Sequence, residues 1–249
     1  MPRKTLGLAA ITLALTFNTA FSLLAARFDY PDILRQPPAE VLRAFAAGGS
    51  GLIALWYAFA LSALALIPFA LTVPFASAHW QTRPALALAS AMTGALAGFA
   101  QGMGLLRWVF AIPGLAATLA DPAATEAQRA AAETAFAVLN QWGGMAIGEH
   151  MGQMLTVGWL TTTLALRRGD RTRMARAETA AACLALAGMG IGLAEGPAMM
   201  LGHTLPLLGL ASVAGYLGLT LWLVILGARL VVSPADQRSD TLPFRPLPV

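Results

Sequence analysis

Apolar positions in this chain come in long runs separated by short polar stretches. The runs lie near the ~20 residues that an α-helix needs to cross the hydrocarbon core of a bilayer. They predict six spans, near residues 5–26, 51–75, 85–112, 135–166, 175–196 and 207–230. The first run, Thr5 to Ala26, exceeds the ~7–15 apolar residues of a signal peptide and reads as a retained span. The fold class expected is all-α: a six-span transmembrane helix bundle forming one domain, residues 1–232. The tail 233–249 is Pro-rich, polar and without period, and reads as a disordered cytoplasmic segment.

Two connections carry patterns of their own. "PPAEVLRAFAAGG" has Pro at a helix start, Val41, Leu42 and Phe45 on one side and a glycine stop. It predicts a short amphipathic helix on the outer leaflet. In "DPAATEAQRAAAETAF", Asp121 as N-cap and Pro122 at the first helical position predict a fourth helix that begins outside the membrane.

Composition supports the membrane reading, since 57% of residues are hydrophobic and only 11% charged, against about 25% charged in soluble domains. The formal net charge of +4 does not point to nucleic acid, because the basic residues sort by side. Arg3, Lys4, Arg83, Arg167, Arg168, Arg171, Arg173, Arg176, Arg229, Arg238 and Arg245 fall on one side of the predicted spans. Only Arg27, Arg35, Arg43, Arg107 and Arg129 fall on the other. The positive-inside rule then places both termini in the cytoplasm. An Ala-, Leu- and Arg-rich composition with one Lys suggests a bacterial inner (cytoplasmic) membrane, with the lipid bilayer as principal partner. The lone Cys183 sits in an apolar run and reads as a packing residue.

Glycine recurs at every fourth position in three spans: Gly94, Gly98, Gly102; Gly144, Gly148, Gly152; and Gly188, Gly192, Gly196. Each trio predicts a groove for close helix approach, within the chain or with a homo- or hetero-oligomeric partner. It makes spans three to five the expected centre of the bundle. Polar residues inside spans are costly and usually face the interior. At ~1.5 Å per residue, His150 lies about 25 Å above Arg167, and Arg107 about 34 Å above Pro84. Asn18, Gln101, Arg107, Glu149, His150, Gln153 and Glu195 thus form a polar layer biased to the outer half. On an α-helical wheel Glu149 and His150 diverge by ~100° and address different neighbours, with Arg107 the natural partner of Glu149. Among the three histidines only His203 comes near His150 on this arrangement, a marginal basis for a metal or haem site. No metal ligand set or cofactor is therefore assigned.

Three segments, "FDYPDILRQPPAEVLRAFAAGGSGLIALWYAFAL" (Phe28 to Leu61), "GLLRWVFAIPGLA" (Gly104 to Ala116) and "DPAATEAQRAAAETAFAVLNQWGGMAIGEHMGQ" (Asp121 to Gln153), resemble a bacterial multi-pass membrane family, domain of unknown function 4386. The resemblance covers roughly half the chain. It implies a helical membrane protein and brings no activity, cofactor or catalytic residue.

The leading functional reading is a membrane protein with a small polar pocket open to the extracytoplasmic side, for ligand binding, sensing or transport. Arg107 would meet an anionic group, Glu149 would balance it, and His150 would titrate with external pH. A structural or regulatory subunit without a ligand is the alternative. An enzyme acting on a lipid-borne substrate has thin support, since no Ser–His–Asp set, HExxH or phosphate loop is present.

Overall fold

A computed structural model describes residues 2–169, 172–203 and 205–232. The expected tail 233–249, with Arg238 and Arg245, and Arg171 of the basic loop lie outside the described residues. Among the described residues the fold is helical, with no strand. In order, the helices are α1 (Arg3–Phe28), α2 (Pro38–Leu64), α3 (Leu66–Thr72), α4 (Pro84–Phe110), α5 (Ile112–Ala120) and α6 (Glu126–Val138). A π-helical segment, Leu139–Met151, leads into α7 (Gly152–Leu166), followed by α8 (Arg173–Gly192), α9 (Glu195–Met200) and α10 (Pro206–Val232).

Five helical stretches are long and apolar enough to cross a membrane: Arg3–Phe28, Pro38–Ala76, Pro84–Ala120, Arg173–Met200 and Pro206–Val232. They make the chain an integral membrane protein of the multi-pass kind. The run expected as a fourth span, 135–166, is divided among the end of α6, the π segment and α7.

Local chemistry sets the boundaries. Pro38 and Pro84 occupy first-turn positions, where a missing N–H leaves no hydrogen bond unmade. Gly49 takes φ 57° and ψ −157° inside α2, which kinks the chain where the glycine stop was expected. The amphipathic turn before it does not rest on lipid. Val41, Leu42 and Phe45 are buried against Phe28, Trp56 and Trp108 of the chain itself. The start of α6 also differs from expectation. Thr125, not Asp121, is the N-cap: its hydroxyl accepts from Gln128 N–H while the Gln128 side chain accepts from Thr125 N–H. Asp121 ends α5 and turns the chain by accepting from Ala123 N–H.

The interior is built as two apolar clusters. One joins Leu6, Ala10, Phe69, Trp159, Met189, Trp222 and Leu226. The other joins Leu24, Phe28, Val41, Phe45, Trp56, Trp108 and Phe136. In chain position, polar residues fall between them and bond across helices: Asn18 to Thr220, Gln101 to Thr156, Gln153 to Ser212. Within the second cluster Trp56 and Trp108 stack with centroids 4.6 Å apart and planes 9° off parallel.

The glycine faces are consumed inside the chain. A Cβ on Gly98 would lie 2.9 Å from the Ala63 carbonyl oxygen, and one on Gly104 would lie 2.5 Å from the Gly148 Cα. A Cβ on Gly188 would meet the Gly215 nitrogen at 2.5 Å. So α4 packs chiefly on α7, and also on α2, α3 and the π segment, while α8 packs chiefly on α10 and less on α7. The third and fourth predicted spans pack closely as expected, while the fifth, α8, makes its most extensive contact with α10. Cys183 is exposed, not a packing residue.

Candidate functional site

Near the Phe28 end of α1, the helices leave a cavity of about 140 Å³. Four of the seven expected site residues line it: Asn18, Gln101, Arg107 and Glu149. The other three do not. Gln153 is buried elsewhere, donating to the Met189 carbonyl at 3.0 Å and to Ser212 Oγ at 3.1 Å. Half-buried His150 packs toward α9, where a Cβ on Gly196 would lie 3.4 Å from its Nδ1. Glu195 meets Arg35 at 3.4 Å, and Arg35 also binds Asp32 at 2.5 Å.

The π segment explains how Glu149 reaches the cavity. An α-helical wheel turns it away from Gly144 and Gly148. A π-helix closes i→i+5 hydrogen bonds, so residues five apart come round to one face. Gly144 and Glu149 share that face, and both line the cavity, with Gly148 beside them. The same spacing brings Asn140 into line with Met145, another wall residue.

Arg107 rises from the end of α4 into this wall. Its guanidinium donates to the Gly104 carbonyl within its own helix and to Asn140 Oδ1 at 3.1 Å. It also lies 5.2 Å from the Trp108 ring centroid, within reach of a cation–π contact. A Cβ on Gly144 would fall among the guanidinium atoms, so glycine there is what lets Arg107 fold over the π segment. The expected Arg107–Glu149 ion pair is not formed. Among the described residues, Glu149 has no hydrogen bond and no cation within 4.0 Å. It does lie in the electrostatic range of Glu195, Arg107 and Arg35.

Much of the rest of the wall is aromatic and was not anticipated. Tyr216, Phe17, Phe59, Phe21 and Tyr30 follow one another as touching rings. Their centroids are 6.3 Å (Phe17–Tyr216), 4.7 Å (Phe17–Phe59), 6.4 Å (Phe21–Phe59), 5.6 Å (Phe21–Tyr30) and 6.2 Å (Tyr30–Phe59) apart. Phe17 and Phe21 are four apart on α1, the one element of this wall visible as a helical stripe. Tyr30 comes from the connection after α1. Burial, and then the charge of Glu149, push its hydroxyl up to about 12, with Arg107 acting the other way. The hydroxyl therefore stays protonated and can donate.

A second cavity of about 40 Å³ adjoins the first, sharing Phe17, Asn18, Gln101, Tyr216 and Thr220 with it. The family model for a domain of unknown function (DUF4386) matches residues 5–227, which include every residue of both walls. The chain belongs to the DUF4386 family. No curated protein and no solved structure matches it. In this DUF4386 chain, no group of three His, Cys, Asp or Glu among the described residues is placed to hold a metal ion.

A further polar cluster, missed in the sequence, lies at the opposite end of the DUF4386 fold. Glu178, buried on α8, accepts from Arg167 and from Arg229, each at 2.7 Å. Nearby, Arg83 closes the end of α7 by donating to the Ala165 carbonyl at 2.8 Å. Helix C-termini leave carbonyls without internal donors, and a cation there complements the dipole.

Proposed function

We propose that this protein binds a small molecule within the membrane, in the cavity walled by Arg107, Glu149 and the aromatic residues. Six spans, the fourth formed by α6, the π segment and α7, would carry both termini on the cytoplasmic side of a bacterial inner membrane. The basic residues of the sequence support that orientation. The cavity then opens toward the extracytoplasmic half, as binding, sensing or transport of an external solute requires.

The observation that carries the reading is a partly open cavity with an unpartnered carboxylate on its wall. Ionisable groups inside membranes are rare and mark ligand or ion pathways. A cavity near 150 Å³ holds a molecule about the size of benzene, and this one is about 140 Å³. The structural-subunit alternative draws less support, because the glycine faces meant for a partner helix are filled from within the chain.

The test uses the full chain in lipid nanodiscs, titrated with small cationic, neutral and anionic probes and followed by thermal unfolding. Val213 and Leu217 line the cavity from α10 and are partly open to the surroundings. Val213→Trp and Leu217→Trp should abolish a stabilisation seen with at least one probe. Stabilisation that survives both blocking variants, or none across the panel, contradicts the reading.

A further inference from the structure

We infer that the cavity takes an organic cation, a small ammonium group carrying apolar substituents. This rests on the cavity being a ligand site and names the ligand's chemical class. It reverses the sequence-based expectation that Arg107 would receive an anion.

The two charged residues on the wall are not equivalent. Arg107 is already engaged by the Gly104 carbonyl, Asn140 and the Trp108 ring. Its neutral partners spread its charge but leave no carboxylate beside it. Glu149 has no such partner; it is on the cavity wall and is itself exposed. Around it, Glu195 is taken up by Arg35, which is also shared with Asp32. Of these carboxylates, Glu149 is the one left without a guanidinium within salt-bridge distance.

The aromatic wall supplies the second half of a cation site. Tyr216, Phe17, Phe59, Phe21 and Tyr30 all line the same space and touch one another ring to ring. Ring faces attract cations through their quadrupole, and cages of such rings recognise alkylated ammonium groups. An inorganic cation would want several oxygen ligands gathered on it, whereas Glu149 is the one carboxylate on this wall and no metal-ligating group of three His, Cys, Asp or Glu is found among the described residues. An alkylammonium keeps little hydration, fits the cavity volume and needs one carboxylate. Asn18, Gln101 and Thr220 stand at the boundary with the smaller cavity and can meet a polar substituent.

The experiment titrates the full chain in nanodiscs with tetramethylammonium, with tert-butanol as neutral counterpart and pivalate as anionic counterpart, by calorimetry. Tetramethylammonium should bind roughly tenfold or more tightly than either counterpart, from its charge and ring contacts together. Glu149→Gln should weaken it by a similar factor while leaving the unliganded melting temperature near that of wild type, and Glu149→Asp should retain part of the affinity. The comparison of probes needs only the unaltered chain, so it decides the matter even if Glu149→Gln folds poorly. Preference for pivalate or tert-butanol overturns the cation assignment and leaves the cavity reading standing. Binding of none of the three overturns the cation assignment as well, and the blocking variants then judge the cavity reading separately.

Discussion

Arg229 on α10 reaches Glu178 on α8 at 2.7 Å, and Arg167 holds the other carboxylate oxygen of Glu178 at the same distance. The carboxylate is 3% exposed, so these partners stand where water would otherwise solvate it. Removing it takes a shared carboxylate from two guanidiniums in a poorly solvated place, at a cost of about 3–5 kcal/mol. Glu178→Ala should therefore lower stability by that order in a detergent unfolding titration. A loss under about 1 kcal/mol would mean that the cluster behaves as an exposed one.

The approach of α4 to the π segment depends on the absence of side chains. A Cβ on Gly104 would sit 2.5 Å from the Gly148 Cα, backbone that cannot swing aside. Gly104→Ala should destabilise by about 1–3 kcal/mol through overpacking. At Gly190 nothing lies within 4 Å, so Gly190→Ala should be neutral or stabilising by up to ~1 kcal/mol from helix propensity. Thermal unfolding of the two variants side by side checks the contrast.

Arg107 and Asn140 should be energetically coupled. Arg107→Gln and Asn140→Ala each remove one 3.1 Å contact, so the double variant should lose less than the sum of the singles, by about 0.5–3 kcal/mol. Arg107→Gln and Glu149→Gln, which share a cavity but no hydrogen bond, should come closer to additive. A four-variant unfolding cycle measures both couplings. Strong Arg107–Glu149 coupling without Arg107–Asn140 coupling would reverse the assignment of Arg107's partner.

Much of this fold is written in the hydrophobic pattern. The long apolar runs mark α1, α2 with α3, α4, α8 and α10 directly, because a bilayer demands them. Gly49 could be read as a stop because glycine tolerates positive φ. The site was legible only in part. Asn18, Gln101, Arg107 and Glu149 stand out as polar residues in apolar runs, whereas Phe59 and Tyr216 look like ordinary apolar-run aromatics and Tyr30 like a residue of a connection. Gln153 looks the same as the cavity residues but is spent on the α8–α10 contact, a distinction that depends on helix rotation. The largest miss was periodic. A wheel of 3.6 residues per turn misplaces Glu149, since nothing in "LNQWGGMAIGEHM" announces a π-helix by composition.

The central claim is that Glu149 faces a solute-accessible cavity, not lipid. Cysteine labelling tests it, on a Cys183→Ser background because the native thiol is exposed. Glu149→Cys is compared with Leu96→Cys, which lies 49% exposed on the flank of α4. A small water-soluble cationic thiol reagent should modify Glu149→Cys in nanodiscs and leave Leu96→Cys untouched, with Val213→Trp slowing the reaction. Modification of both positions only by a lipid-soluble reagent would put Glu149 on the outer wall of the bundle and contradict the account.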